Sequence, residues 1–93
     1  MSYNLIVQTQ AILSARAAFE WYENIRIGLG FELLEEIESC YEKIIYNPNN
    51  YTYINKRYRR IRTKGFPYLI IYEVEDKSVF VYNVVHAKQK KRR

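Results

Sequence analysis

Tyr58-Arg59-Arg60-Ile61-Arg62, Thr63-Lys64-Gly65, Phe66-Pro67-Tyr68-Leu69-Ile70-Ile71-Tyr72-Glu73-Val74, Glu75-Asp76-Lys77-Ser78 and Val79-Phe80-Val81-Tyr82-Asn83-Val84-Val85-His86 form one continuous stretch in the last third of the chain. Three β-branched and aromatic runs alternate with polar or glycine turns, which predicts three antiparallel strands. With Asp76-Lys77 as a two-residue loop, Tyr72 faces Val81, Tyr68 faces Val85, Leu69 faces Val84 and Pro67 faces His86. One predicted face then holds Tyr68, Ile70, Tyr72, Val74, Val79, Val81, Asn83 and Val85. The other holds Leu69, Ile71, Glu73, Phe80, Tyr82, Val84 and His86. The first is slightly more apolar and is expected to meet the core; a one-residue slip would reverse it.

Working outward, Tyr3-Asn4-Leu5-Ile6-Val7 is a short strand with Tyr3, Leu5 and Val7 on one face. Thr9 is placed to cap a helix whose apolar stripe is Ala11, Ala15, Ala18, Tyr22 and Ile25, widened by Ile12 and Phe19. Ile27-Gly28-Leu29-Gly30 turns the chain. A second helix follows from about Phe31 to Tyr46, with Leu33, Ile37, Cys40 and Ile44 in one row and Leu34, Tyr41 and Ile45 in the next. Glu32, Glu35, Glu36, Glu38 and Glu42 are left mostly outward. Asn47-Pro48-Asn49-Asn50 stops this helix. The predicted fold is α+β: a β-α-α-β-β-β two-layer sandwich, with a helical hairpin packed on one face of a largely antiparallel sheet. Residues 1–87 make one domain and residues 88–93 a basic C-terminal tail. The helix-free face of the sheet is left open for function.

Composition narrows the function classes. Cys40 is the only cysteine among 93 residues, so no internal disulfide can form, and its place on an apolar stripe reads as core. No Cys/His/Asp cluster has metal spacing and no glycine-rich loop cradles phosphate, so neither a metal nor a cofactor is expected. Gly30 and Gly65 read as isolated turns. No apolar run approaches the roughly 18–20 residues of a membrane span, and no secretion signal opens the chain; a cytoplasmic protein is expected. Residues 1–50 hold three basic and seven acidic residues, a net of −4, while residues 51–93 hold twelve basic and three acidic, a net of +9. Two clusters cause this: Lys56, Arg57, Arg59, Arg60, Arg62 and Lys64, and the tail Lys88, Lys90, Lys91, Arg92 and Arg93. Such segregation points to an anionic partner, nucleic acid or acidic protein, with a solvated surface as the plain alternative. The ten tyrosines are read mainly as amphipathic core-edge residues, with Tyr68 and Tyr72 beneath the helices.

The pieces Phe19-Glu20-Trp21-Tyr22-Glu23, Gly28-Leu29-Gly30, Asn47-Pro48, Tyr58-Arg59-Arg60, Phe66-Pro67-Tyr68-Leu69-Ile70-Ile71-Tyr72 and Val84-Val85-His86 occur in an order that resembles the RelE/ParE toxin superfamily. The resemblance spans nearly the whole chain. It implies the toxin half of a type II toxin–antitoxin, or plasmid-stabilisation, pair, silenced by an acidic cognate antitoxin. RelE-like members cut mRNA on the ribosome; ParE-like members inhibit DNA gyrase without cutting. Neither branch acts on a small-molecule substrate.

Residue by residue, Arg60 and Arg62 match the paired basic residues that RelE-like nucleases carry on this strand, and arginine's planar fork suits phosphate. Those nucleases usually place an arginine just after the strand tyrosine, where this chain has Leu69. They usually follow the last strand with an arginine, where it has Ala87, Lys88 or Gln89, and many carry a tail tyrosine, whereas none follows Tyr82. Attack by a 2′-hydroxyl needs a base, phosphate stabilisation and an acid. For a nuclease only Arg60, Arg62, His86 and Lys88 are available as catalytic groups. For nucleic-acid or target binding the candidates are Arg59, Arg60, Arg62, Lys64 and Lys88. His86, expected on the open face beside Tyr82, is read either as an acid or base or as a strand-end histidine bonded to backbone. The pattern leans to the ParE-like branch, inhibiting a target such as gyrase. The alternatives are a ribosome-dependent endonuclease and a non-toxic nucleic-acid-binding module of the same fold.

Overall fold

A computed structural model describes residues 2–88; most of the basic tail lies outside them. The elements are β1 (Asn4–Val7), α1 (Thr9–Ile25), α2 (Leu29–Tyr46), a 3-10 turn (Pro48–Asn50), β2 (Arg59–Arg62), β3 (Tyr68–Glu75) and β4 (Ser78–His86). The sheet order is β1-β4-β3-β2. The first strand joins beside β4 and runs parallel to it, and the helical hairpin carries the chain from β1 to β2 at the opposite edge; the other pairings are antiparallel. Helices and sheet share one core. Leu33, Ile37 and Ile44 of α2 and Ala11 of α1 meet Ile70, Tyr72, Val79, Val81 and Val84, all buried.

The β3–β4 turn is the expected two-residue loop, since Glu75 pairs with Ser78 and Tyr72 with Val81. Asp76 takes φ 56°, a left-handed conformation that aspartate tolerates better than most residues. Beyond Tyr72 the predicted register fails. Ile71 pairs with Asn83, Ile70 with Val84, Leu69 with Val85 and Tyr68 with His86, because Tyr82 is an extra residue that opens a β-bulge. The bulge turns Val84 into the core, where the unshifted register would have exposed it. It also carries His86 to the helix side, against the edge of the Tyr68 ring. The Asn83 carboxamide oxygen accepts from the Ser14 hydroxyl of α1 (2.8 Å) and from the Val84 amide (2.8 Å). The Asn83 carboxamide, half-buried beside α1, is satisfied by these two donors.

The helical hairpin also departs from expectation at its ends. Thr9 is the first helical residue rather than the cap; Gln8 occupies the cap position in extended conformation and makes no side-chain cap bond. The second helix starts at Leu29, and Gly28 supplies the turn with φ +94°. Glu23 reaches across from α1, accepting from the amides of Gly28 (2.8 Å) and Gly30 (2.9 Å). A carboxylate at the amino end of α2 satisfies free N–H groups and favours the helix dipole. Gly30 is therefore a helical residue and not a turn. A Cβ there would fall 2.6 Å from the Phe19 carbonyl oxygen. Glycine-to-alanine changes inside helices usually gain up to about 1 kcal/mol; here Gly30→Ala is expected to lose about 1–3 kcal/mol by overpacking. Denaturant unfolding checks this, and an unchanged or raised midpoint would mean that the helices part freely.

Candidate functional site: the open sheet face

Side chains alternate across a strand, so the residues between the buried ones line the face away from the helices. Ile61, Ile70, Tyr72, Val79 and Val81 point into the core. Arg60 and Arg62 of β2, Leu69, Ile71 and Glu73 of β3, Phe80 and Tyr82 of β4 and Ile6 of β1 therefore share the open face. Their cross-strand partners fix the layout: Arg62 lies opposite Leu69, Leu69 opposite Val85, Arg60 opposite Ile71, and Phe80 between Glu73 and Ile6. The centre is apolar and aromatic and the β2 side is cationic.

One end of the face is ordered by a small cluster. Tyr82, freed by the bulge, stacks on Tyr58 with ring centroids 5.2 Å apart. The Arg57 guanidinium lies over the Tyr58 ring at 5.4 Å and donates to Glu73 at 2.6 Å. That hydrogen bond and the Glu73 charge raise the Arg57 pKa above its ordinary value. Arg57 and Tyr58 were not among the sequence candidates for this face. Their signal was Glu73, an acidic residue beside the apolar centre of the strand surface, followed on the same face by Glu75 at the strand end.

The candidate residues separate. Arg60 and Arg62 are exposed on the open face, and neither forms an ion pair among the described residues. Lys64 is exposed just beyond β2, where the Gly65 amide is tied to Glu36 of α2 at 2.8 Å. Arg59 points the other way. It donates to the carbonyls of Tyr51 (2.7 Å) and Asn49 (3.2 Å) and sits 3.8 Å over the Tyr53 ring, so it staples the 48–53 segment to the sheet edge. His86, expected on the open face beside Tyr82, lies on the helix side. Its Nδ1 accepts from the Lys88 amide at 3.0 Å, the strand-end arrangement weighed from sequence. Lys88 and His86 border a separate groove of about 540 Å³ against Ser14, Ala18 and Trp21 of α1. The four groups available to a nuclease therefore do not converge: two arginines are on one face, and His86 and Lys88 are at the other. Among the described residues no group of three His, Cys, Asp or Glu side chains could hold a metal ion, and no helix is long and apolar enough to cross a membrane.

The family model for the ParE toxin of the type II toxin–antitoxin system parDE matches residues 5–91. No curated protein matches the chain by sequence. Among solved structures, the chromosomal ParDE system of P. aeruginosa is similar at TM-score 0.82 and 11% identity, covering 94% of this chain and 98% of that one. A mutant of the E. coli RelE toxin in the free state is similar at TM-score 0.72 and 20% identity, covering 95% and 86%. The archaeal RelE–RelB complex of Pyrococcus horikoshii OT3 follows at 0.59 and 12%, covering 97% and 100%. At such identities the structural likeness is one of fold.

Proposed function

The chain belongs to the ParE toxin family of type II toxin–antitoxin systems, and from that premise we propose that it binds and inhibits an essential target such as DNA gyrase, held in check by an acidic antitoxin. One observation carries this reading over RNA cleavage. The row running from Arg62 across the sheet is Leu69 and then Val85, so no charged donor on β3 or β4 faces the guanidinium. A phosphate on the open face would be gripped from the β2 side only. A surface with an apolar centre and one cationic flank suits a protein interface, where apolar contacts give affinity and charge guides encounter. The site of action is the cytoplasm. Residues 1–87 are the toxin domain in this reading, and residues 88–93 are a basic tail that lies mostly outside the described residues. Arg60, Arg62 and Lys64 are the contact residues on the β2 edge, with Arg59 supporting that edge, and Lys88 offers a contact at the separate groove beside α1.

The direct test is gyrase supercoiling of relaxed plasmid in the presence of the purified chain. Supercoiling should stop at a few-fold excess of toxin; an undiminished rate at large excess would remove gyrase as the target.

The antitoxin interaction gives a second expectation. With Arg60, Arg62 and Lys64 free of acidic partners among the described residues, electrostatic steering should dominate encounter. Raising salt from about 0.05 to 0.5 M is expected to slow association about tenfold or more, with a smaller change in dissociation. Stopped-flow mixing measures both rates. An association rate that ignores salt would remove electrostatics from antitoxin recognition.

A further inference from the structure

The acidic half of the chain has its own surface. Beside the contact of Gly30 with Phe19, an apolar cleft of about 410 Å³ opens between the two helices, lined chiefly by Ile12, Ala15, Phe19, Leu34, Ile37 and Tyr41. Ile12 is half exposed, and Phe31, packed edge-on against Phe19, is 58% exposed. Phe31, Leu34 and Tyr41 form one stripe of α2, and Glu35, Glu38 and Glu42 form the stripe beside it. A shallower groove lined by both stripes adjoins the cleft through Leu34 and Glu38. None of these three glutamates forms an ion pair among the described residues. The opposite lip contributes a single charge, Arg16. Burial and the neighbouring Glu38 push the Tyr41 hydroxyl up to about 12, so it stays a neutral donor at the rim.

We propose that this cleft docks a basic amphipathic helix of a partner protein, with apolar side chains seated between α1 and α2 and lysines or arginines meeting Glu35, Glu38 and Glu42. The two stripes span residues 31–42, about 16 Å of helix, so the occupant needs roughly three turns. Apolar anchors at i, i+3, i+4 and i+7 flanked by cations match an apolar stripe beside an acidic one. An acidic helix would set its charges against the three glutamates. Net charge does not explain the choice, because the chain is +5 overall and would on that ground alone favour acidic partners. The surface lies on the helices, away from the open sheet face, and does not depend on the gyrase reading.

The test titrates the full chain with two designed 18-residue helical peptides, one of leucine and lysine and one of leucine and glutamate, with leucines at the four anchor spacings. Amide chemical shifts map the site, and the emission of the only tryptophan, Trp21, watches the separate groove on the other flank of α1. The lysine peptide should shift Ile12, Ala15, Leu34 and Tyr41 and leave Trp21 emission unmoved. Reversing charge in the combined variant Glu35→Lys, Glu38→Lys and Glu42→Lys should weaken it at least tenfold; all three side chains are exposed, so the fold is not at stake. No binding of the lysine peptide at millimolar concentration would overturn the proposal. So would equal binding of the glutamate peptide at the cleft, shifts confined to the sheet face, a moving Trp21 signal, or indifference to charge reversal.

Discussion

Truncating Tyr72 to alanine is expected to cost about 3–5 kcal/mol, a large part of the roughly 5–15 kcal/mol that holds a domain folded. Tyr72 is fully buried between sheet and helices, and its hydroxyl donates to the Pro48 carbonyl at 2.7 Å. Truncation removes the ring, leaves a cavity and strands that carbonyl. The same contact ties the 3-10 turn after α2 to the centre of the sheet, so the 48–53 segment should loosen with it. Tyr72→Phe separates the two parts: it keeps the ring and should cost about 1–3 kcal/mol, the penalty for a buried group without its partner. Denaturant unfolding measures both. A loss below about 1 kcal/mol for the alanine variant, typical of surface sites, would contradict the core assignment.

Ribosomes programmed with mRNA should keep their message intact when the purified chain is added. Arg60 and Arg62 can hold a phosphate, but Leu69 and Val85 continue the row from Arg62, and His86 is turned to the other side of the sheet. Losing one preorganised donor typically costs about 10²–10³ in rate, and this face lacks both a charged donor on β3 and the acid–base partner. RNA affinity can thus survive without cleavage. Leu69→Arg is the companion test. It sets two guanidinium groups directly opposite one another on neighbouring strands, a repulsion that bound phosphate would relieve. Appearance of A-site cleavage in that variant would mean the scaffold is a nuclease site short of one charge. Site-specific cleavage by the unaltered chain, lost in Arg60→Ala, would promote the nuclease reading outright.

Most of the architecture was legible because hydrophobic period carries it. The stripe through Leu33, Ile37, Cys40 and Ile44 is the buried face of α2, and the alternation through Tyr68, Ile70 and Tyr72 is the buried face of β3. The bulge at Tyr82 was not legible from alternation alone, since Val84 and Val85 are both apolar and tolerate either register. A sign was nonetheless present: the unshifted pairing buries Asn83 and exposes Val84. A buried polar residue beside an exposed valine is the mismatch that an extra residue repairs. The end of α2 was hidden for another reason. Capping patterns look within a few residues of a helix start, whereas Glu23 reaches Gly28 and Gly30 from the preceding helix. For the site, Arg60 and Arg62 followed from strand parity, as did their shared face. The hold of Arg59 on the 48–53 segment was not legible because the path of that segment was not, and the face of His86 was misread because it depends on the bulge.

Induced expression of the chain without antitoxin, followed by plasmid topology from the same cells, separates inhibition of gyrase from cleavage of messages. Relaxed or broken plasmid DNA and a division defect are expected while translation continues, with relief when an acidic antitoxin is co-expressed. Prompt arrest of translation with cleaved messages and normally supercoiled plasmid would contradict inhibition of gyrase.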